Sequence, residues 1–101
     1  MILEVAMLNV IPGQESDFEA AFRQAAKIIA SMPGYRAHQL QRCLEVDNKY
    51  LLLVEWNTLE DHTVGFRRSL EYVTWKKLLH HFYDPFPTVE HFTTVFTNDR
   101  Q

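Results

Sequence analysis

The sequence predicts an α+β domain built on one antiparallel sheet, and three observations lead there. Apolar runs at residues 2–10 and 49–56 have the length and side-chain type of strands. Two longer stretches carry apolar residues every three or four positions and stop at proline, as helices do. The order in which they alternate, β-α-β-β-α-α-β, is that of the ferredoxin-like split βαβ unit, with its helices on one face of the sheet. Residues 1–101 make one such domain, without repeats, linkers or low-complexity stretches.

The first strand spans Ile2 to Val10 and ends at the Pro12-Gly13 turn. Ser16 and Glu19 have the spacing of a capping box. Beyond them Phe18, Ala21, Phe22, Ala25, Ile29 and Met32 form one helical stripe, which Pro33-Gly34 ends. Tyr35 to Leu44 reads as a more polar strand, Asp47-Asn48 as a hairpin turn, and Lys49 to Trp56 as the third strand. Thr58 and Asp61 again have capping-box spacing, ahead of a stripe of Leu59, His62, Phe66 and Leu70. A third helical piece carries Trp75, Leu78, Leu79 and Phe82 and must stop near Asp84, before Pro85. The last strand is expected over Thr88 to Phe96.

Composition narrows the function. Hydrophobic residues make up 47% of the chain, which excludes disorder, and no apolar run is long enough to span a membrane. The first residues read as a strand rather than a signal peptide, and the single cysteine, Cys43, cannot form an internal disulfide. A cytoplasmic location is therefore expected. With net charge −3 and scattered bases there is no basic stripe for nucleic acid. Function is expected to concern a small molecule or a protein partner.

Both faces of the sheet are apolar. Leu51 and Leu53 oppose Leu52, Val54 and Trp56, and Leu3, Val5 and Met7 oppose Ile2, Ala6, Leu8 and Val10. Helices cover one face only. Leaving the other wet would forgo about 1.5–3 kcal/mol per leucine, a large fraction of a domain's stability. A homodimer that buries the second face against its copy is the expected assembly.

The opening strand running into VIPGQESDFEAAF, the MPGY turn and the YLLLVEWNTLEDH strand-to-helix junction resemble the antibiotic biosynthesis monooxygenase (ABM) family. The closing LLHHFYDPFPTVEH is similar to a sub-group within it. This resemblance covers nearly the whole chain and implies a dimeric α+β barrel. It implies oxidation of a small or polycyclic aromatic phenol or quinol by molecular oxygen, without metal or flavin. Such chemistry needs a dry apolar pocket, a base, and donors for the anionic oxygen. By the resemblance, Trp56 matches a tryptophan closing the third strand, and Leu52 stands where an asparagine is expected. His62 stands in place of a tyrosine, and Lys76 in place of an arginine. Against heme-degrading relatives the match is poorer: Ala6 replaces an inward asparagine, Gly65 or Phe66 replaces a helical tryptophan, and only His80 offers a matching histidine. Heme degradation ranks below phenol oxidation, and a non-catalytic dimer binding a small ligand is the other alternative.

His62 shares the inward stripe with Phe66, where an imidazole serves as a base near neutral pH or as a core histidine bonded to a backbone carbonyl. The catalytic set is therefore His62 as base, with Trp56, Tyr83 and Lys76 orienting the anion. Phe66, Leu52, His80, His81, Phe86 and His91 are the candidate pocket residues. On the third helix His80 lies about 150° and His81 about 110° from the apolar stripe, so neither belongs to the helix core. Adjacent histidines diverge by about 100° and no His-x-x-x-His spacing occurs, so no metal site is expected. The FYDPFP segment is too apolar for water, and Phe82, Tyr83 and Phe86 are expected to be buried. His91 is expected to face inward with Val89 and Val95. Arg67 and Arg68 read as a solvated helix face, and nothing near Cys43 would activate its thiol.

Overall fold

Ile2–Asn9 form β1, the strand on which the domain is organised. The computed structural model describes residues 1–100. The elements that follow are α1 (Glu15–Ile29), β2 (Tyr35–Arg42), β3 (Lys49–Trp56), a wide helical turn (Asp61–Phe66), α2 (Leu70–Leu79) and β4 (Val89–Phe92). The sheet order is β2-β3-β1-β4, and every neighbouring pair is antiparallel. This is the ferredoxin-like α+β arrangement that the element order predicts.

Alternation places Glu4, Ala6 and Leu8 of β1 beside Tyr50, Leu52, Val54 and Trp56 of β3 on the inner face, all of them buried. Phe18, Phe22, Ala25 and Ile29 of α1 and Trp75 and Leu79 of α2 cover that face. The α1 stripe is the one the periodicity predicts. Its cap is not: the Ile11–Gln14 turn starts the helix at Glu15, so Ser16 lies inside the first turn, and the Gly13 N–H donates to Glu15 Oε1 at 3.0 Å instead.

Thr58 and Asp61 do form their reciprocal cap, with the Thr58 N–H donating to Asp61 Oδ2 at 3.1 Å and the Asp61 N–H to Thr58 Oγ1 at 3.2 Å. The stripe beyond it breaks. His62 and Phe66 are buried, but Leu59 is 40% and Leu70 85% exposed. The winding widens here, the Arg67 N–H donating to the carbonyl five residues back, on His62, at 3.1 Å. Ser69 then ends the segment and caps α2 by accepting the Tyr72 N–H at 3.1 Å, so the phase of the first helix is not continued into the second.

The last strand is shorter than the expected Thr88 to Phe96. β4 covers Val89–Phe92 and pairs only with β1, its last pair being Leu3 with Phe92. Val95 and Phe96 are 95% and 81% exposed, and Val95 does not accompany His91 on the inner face. On the outer face Leu3, Val5, Leu51 and Leu53 are partly exposed, with Met7 and Phe92 more so, and among the described residues no helix or second sheet covers them.

Gly34 joins α1 to β2 with φ at +83°, and a Cβ built there would lie 2.1 Å from the Asp61 side chain. Gly34→Ala is thus expected to destabilise the domain by about 2 kcal/mol or more in urea unfolding, through backbone strain and displacement of the Thr58–Asp61 cap.

Candidate active site

Between the inner face of the sheet and the helical layer lies a cavity of about 380 Å³. Its floor is Glu4, Ala6, Leu8, Leu52 and Val89. The wide turn supplies His62, Phe66 and Arg67, α2 supplies Tyr72 and Trp75, and the following loop supplies His80, Tyr83, Phe86 and Pro87. Such a volume is at the lower end of the range for small-ligand pockets.

The polar centre of the cavity is a residue that sequence reasoning passed over. Glu4 is 5% exposed and faces inward, between the rows of apolar side chains. Its Oε1 accepts the Trp56 indole N–H at 2.9 Å and lies 3.3 Å from His62 Nε2. No buried side-chain oxygen among the described residues lacks a hydrogen-bond partner, so Oε2, which has none, is open to the cavity. Burial raises the Glu4 pKa from 4.5 to about 7, against smaller opposing effects of the Trp56 hydrogen bond and the Arg67 charge.

His62 is 3% exposed, as its place on the inward stripe predicts. Its ring stacks on Trp56 at 5.5 Å and 22°, and its Nδ1 is 2.7 Å from His91 Nε2. Burial, helped by the Arg67 and His91 charges, lowers its pKa to about 3. An imidazole that weak stays neutral at physiological pH but is a poor proton acceptor.

Trp56 is fully buried behind Glu4 and His62 rather than exposed as a cavity wall, and its N–H is already committed to Glu4. Tyr83 lines the cavity with its hydroxyl unpaired, and burial pushes its pKa up. Lys76 does not: it is exposed on the outer side of α2, its Nζ 5.6 Å from the Tyr72 ring centre. Tyr72 and Trp75 carry the free donors on that helix.

Among the pocket candidates, Phe66, Leu52, His80 and Phe86 line the cavity. His81 is exposed and packs on Phe82 at 4.2 Å, away from it. His91 is half-buried and reaches the site through His62 rather than lining it. His80 enters because regular winding ends at Leu79: the His80–Phe82 turn tightens and sets its ring against Tyr72 and Phe86, at 6.0 and 5.0 Å. Phe82 is buried, but Phe86 is 64% exposed at the cavity mouth, not sealed in the core. Arg67, read as a solvated partner of Arg68, lines the cavity because the widened turn rotates it inward. Among the described residues no cluster of three His, Cys, Asp or Glu side chains is arranged to hold a metal ion, and no helix is long and apolar enough to cross a membrane.

Comparison with known proteins agrees with this architecture. An uncharacterized protein of Bacillus subtilis, YczJ, is 63% identical over 95 residues, which are 94% of this chain and the whole of that one. The deoxynogalonate monooxygenase of Streptomyces nogalater is 35% identical over 69 residues, 66% of this chain and 55% of the enzyme. A solved structure from Bordetella bronchiseptica, of the antibiotic biosynthesis monooxygenase class, superposes with a TM-score of 0.90 at 36% identity, covering 94% of this chain and 97% of that one. SnoaB, a cofactor-independent oxygenase of Streptomyces nogalater, superposes at 0.74 with 27% identity, over 95% of this chain and 94% of its own. The model of the antibiotic biosynthesis monooxygenase family matches residues 1–78, a span holding Glu4, Trp56, His62, Arg67 and Tyr72, and the chain belongs to that family.

Proposed function

We propose that this protein is a cofactor-independent monooxygenase that oxidises a hydroxylated aromatic compound with molecular oxygen. The observation that carries the reading is Glu4: a buried carboxylate with one oxygen open to a cavity that mixes apolar walls with the polar groups of Arg67, Tyr72, His80 and Tyr83, and a proton affinity raised to about pH 7. Its conjugate acid is matched to neutral solution, as a general base should be. That makes Glu4 the proposed base in place of His62, whose proton affinity is far too low.

The phenolic proton passes to Glu4 Oε2, leaving an anion whose oxygen is met by the free donors of Tyr83, Tyr72 and Trp75. Phe66, Leu52 and Leu8 exclude water, so the electron-rich anion reduces oxygen rather than being quenched. For a simple phenol the balance is ArH(OH) plus O₂ giving the quinone plus water. Electrons come from the substrate, and Glu4 returns to the carboxylate once its proton leaves. His80 and Phe86 form the mouth.

The outer sheet face belongs to the same reading: Leu3, Val5, Met7, Leu51 and Leu53 pack against a second copy, as a dimeric α+β barrel requires. Oxygen uptake on a panel of mono-, di- and tricyclic hydroxyaromatics, with metal chelated, tests the activity. Uptake with stoichiometric quinone supports it. A compound that raises the melting temperature but is recovered unaltered under air would make the cavity a binding site only, the reading that Leu52 favours by leaving an apolar wall there. A Soret shift on hemin titration would point to heme instead.

A further inference from the structure

His91 has no part in the reaction as written, yet it is built into the site. Glu4 and His91 are directly opposed across the β1–β4 pairing, so both side chains emerge on the inner face, His91 from the edge strand. His62 arrives from the wide turn and bridges them, Nε2 lying 3.3 Å from Glu4 Oε1 and Nδ1 2.7 Å from His91 Nε2. A core histidine that merely fills space needs one backbone carbonyl. Here both ring nitrogens engage ionisable side chains, and stacking on Trp56 fixes the ring between them.

We propose that His62 and His91 are a proton wire carrying the proton taken by Glu4 out of the cavity to the surface at β4. The inference rests on Glu4 being the base of the cavity. With Glu4 protonated, His62 accepts at Nε2 and donates from Nδ1 to His91. When the wire fires, the carboxyl group turns to bring its protonated oxygen to His62, the Glu4 proton moves to His62 Nε2, the Nδ1 proton moves to His91 Nε2, and His91 releases its Nδ1 proton to solvent. The 2.7 Å His62–His91 hydrogen bond and the 3.3 Å Glu4–His62 contact both reverse polarity, and exchange of ring protons with solvent restores the starting tautomers. Half-buried His91 ends the chain at the solvent side.

Burial lowers the proton affinity of both rings, so the wire passes a proton between neutral imidazoles instead of storing one as a cation. Four elements bring groups to bear on Glu4: Trp56 from β3, His62 and Arg67 from the wide turn, Tyr72 from α2 and His91 from β4. The Arg67 charge lowers the proton affinity of Glu4, His62 and His91.

Nitrogen-15 NMR of histidine-labelled full-length protein reads the polarity directly. Across the titration of Glu4 the His62 proton is expected to move from Nδ1 to Nε2, and the reversal is expected to vanish in Glu4→Gln and in His91→Phe. In turnover with an oxidised hydroxyaromatic, His91→Phe and His91→Gln are expected to lower kcat tenfold or more with KM within twofold. Imidazole in the buffer is expected to restore the rate, which a purely structural role for His91 would not allow. A His62 that keeps one tautomer while Glu4 titrates, or a His91→Phe enzyme at the wild-type rate, overturns the wire. If no hydroxyaromatic is oxidised, the oxygenase reading falls, and the tautomer measurement alone decides the wire.

Discussion

Glu4→Gln is expected to lower kcat by about 10²–10⁴ while the protein stays folded. The amide keeps the size and the Trp56 hydrogen bond of the carboxylate but cannot take a proton at neutral pH. His62→Ala is expected to cost less than this, since the imidazole acts through Glu4, and equal losses would argue against the assignment. Stability should respond in a way that a passive glutamate could not imitate. The folded pKa of Glu4 is raised from 4.5 to about 7, so the stability that the buried acid contributes is full below pH 4.5 and is lost as pH rises through 7. It amounts to about 3 kcal/mol. The folded pKa of His62 is lowered from 6.5 to about 3, so its contribution is present above 6.5 and lost as pH falls towards 3. Between 4.5 and 6.5 the folded and unfolded pairs each hold one proton, and the opposing slopes cancel. What slope the wild type keeps over that window in urea unfolding comes from the other lowered histidines, His38, His80 and His91, whereas Glu4→Gln adds the His62 slope and is expected to gain stability with pH more steeply than the wild type.

Charging the outer sheet face should have the other large effect. Val5 and Leu53 are direct partners in the β1–β3 pairing and point away from the helices. Val5→Lys with Leu53→Lys is expected to turn a dimer into a monomer in sedimentation velocity, with a melting temperature that no longer rises with protein concentration. Burying each of these side chains is worth about 1.5–3 kcal/mol, so two lysines on each of two facing sheets would remove most of a typical association energy. A wild-type chain that sediments as a stable monomer would show that this face is not a subunit interface.

Much of this molecule was legible in its residues, and the parts that were not have identifiable causes. The α1 stripe, the β3 alternation and the Thr58–Asp61 cap depend on local spacing, and local spacing predicts them. The inward position of His62 follows from the same stripe. Glu4 was missed because β1 was read through its apolar members, although Glu4 stands in the inward alternation with Ala6 and Leu8; an acid at such a position is itself the signal. β4 ends at Phe92 although the apolar residues Val95 and Phe96 continue the strand-like pattern, so composition alone does not mark its end. Arg67 and His80 enter the cavity because helical winding widens at one and tightens near the other, so wheel angles drawn for a regular helix misplace them. Trp56 cannot orient the anion with its indole N–H as the resemblance implies, because Glu4 takes that donor.

The proposed chemistry depends on the Glu4 carboxyl group being dry yet reachable. Carbon-13 NMR of glutamate-labelled protein, titrated from pH 4 to 9, measures this without any substrate. One side-chain carboxyl with a midpoint near 7, absent from Glu4→Gln, is the predicted result. A Glu4 resonance that titrates near its ordinary value of 4.5 would contradict it, and would leave the cavity without a base.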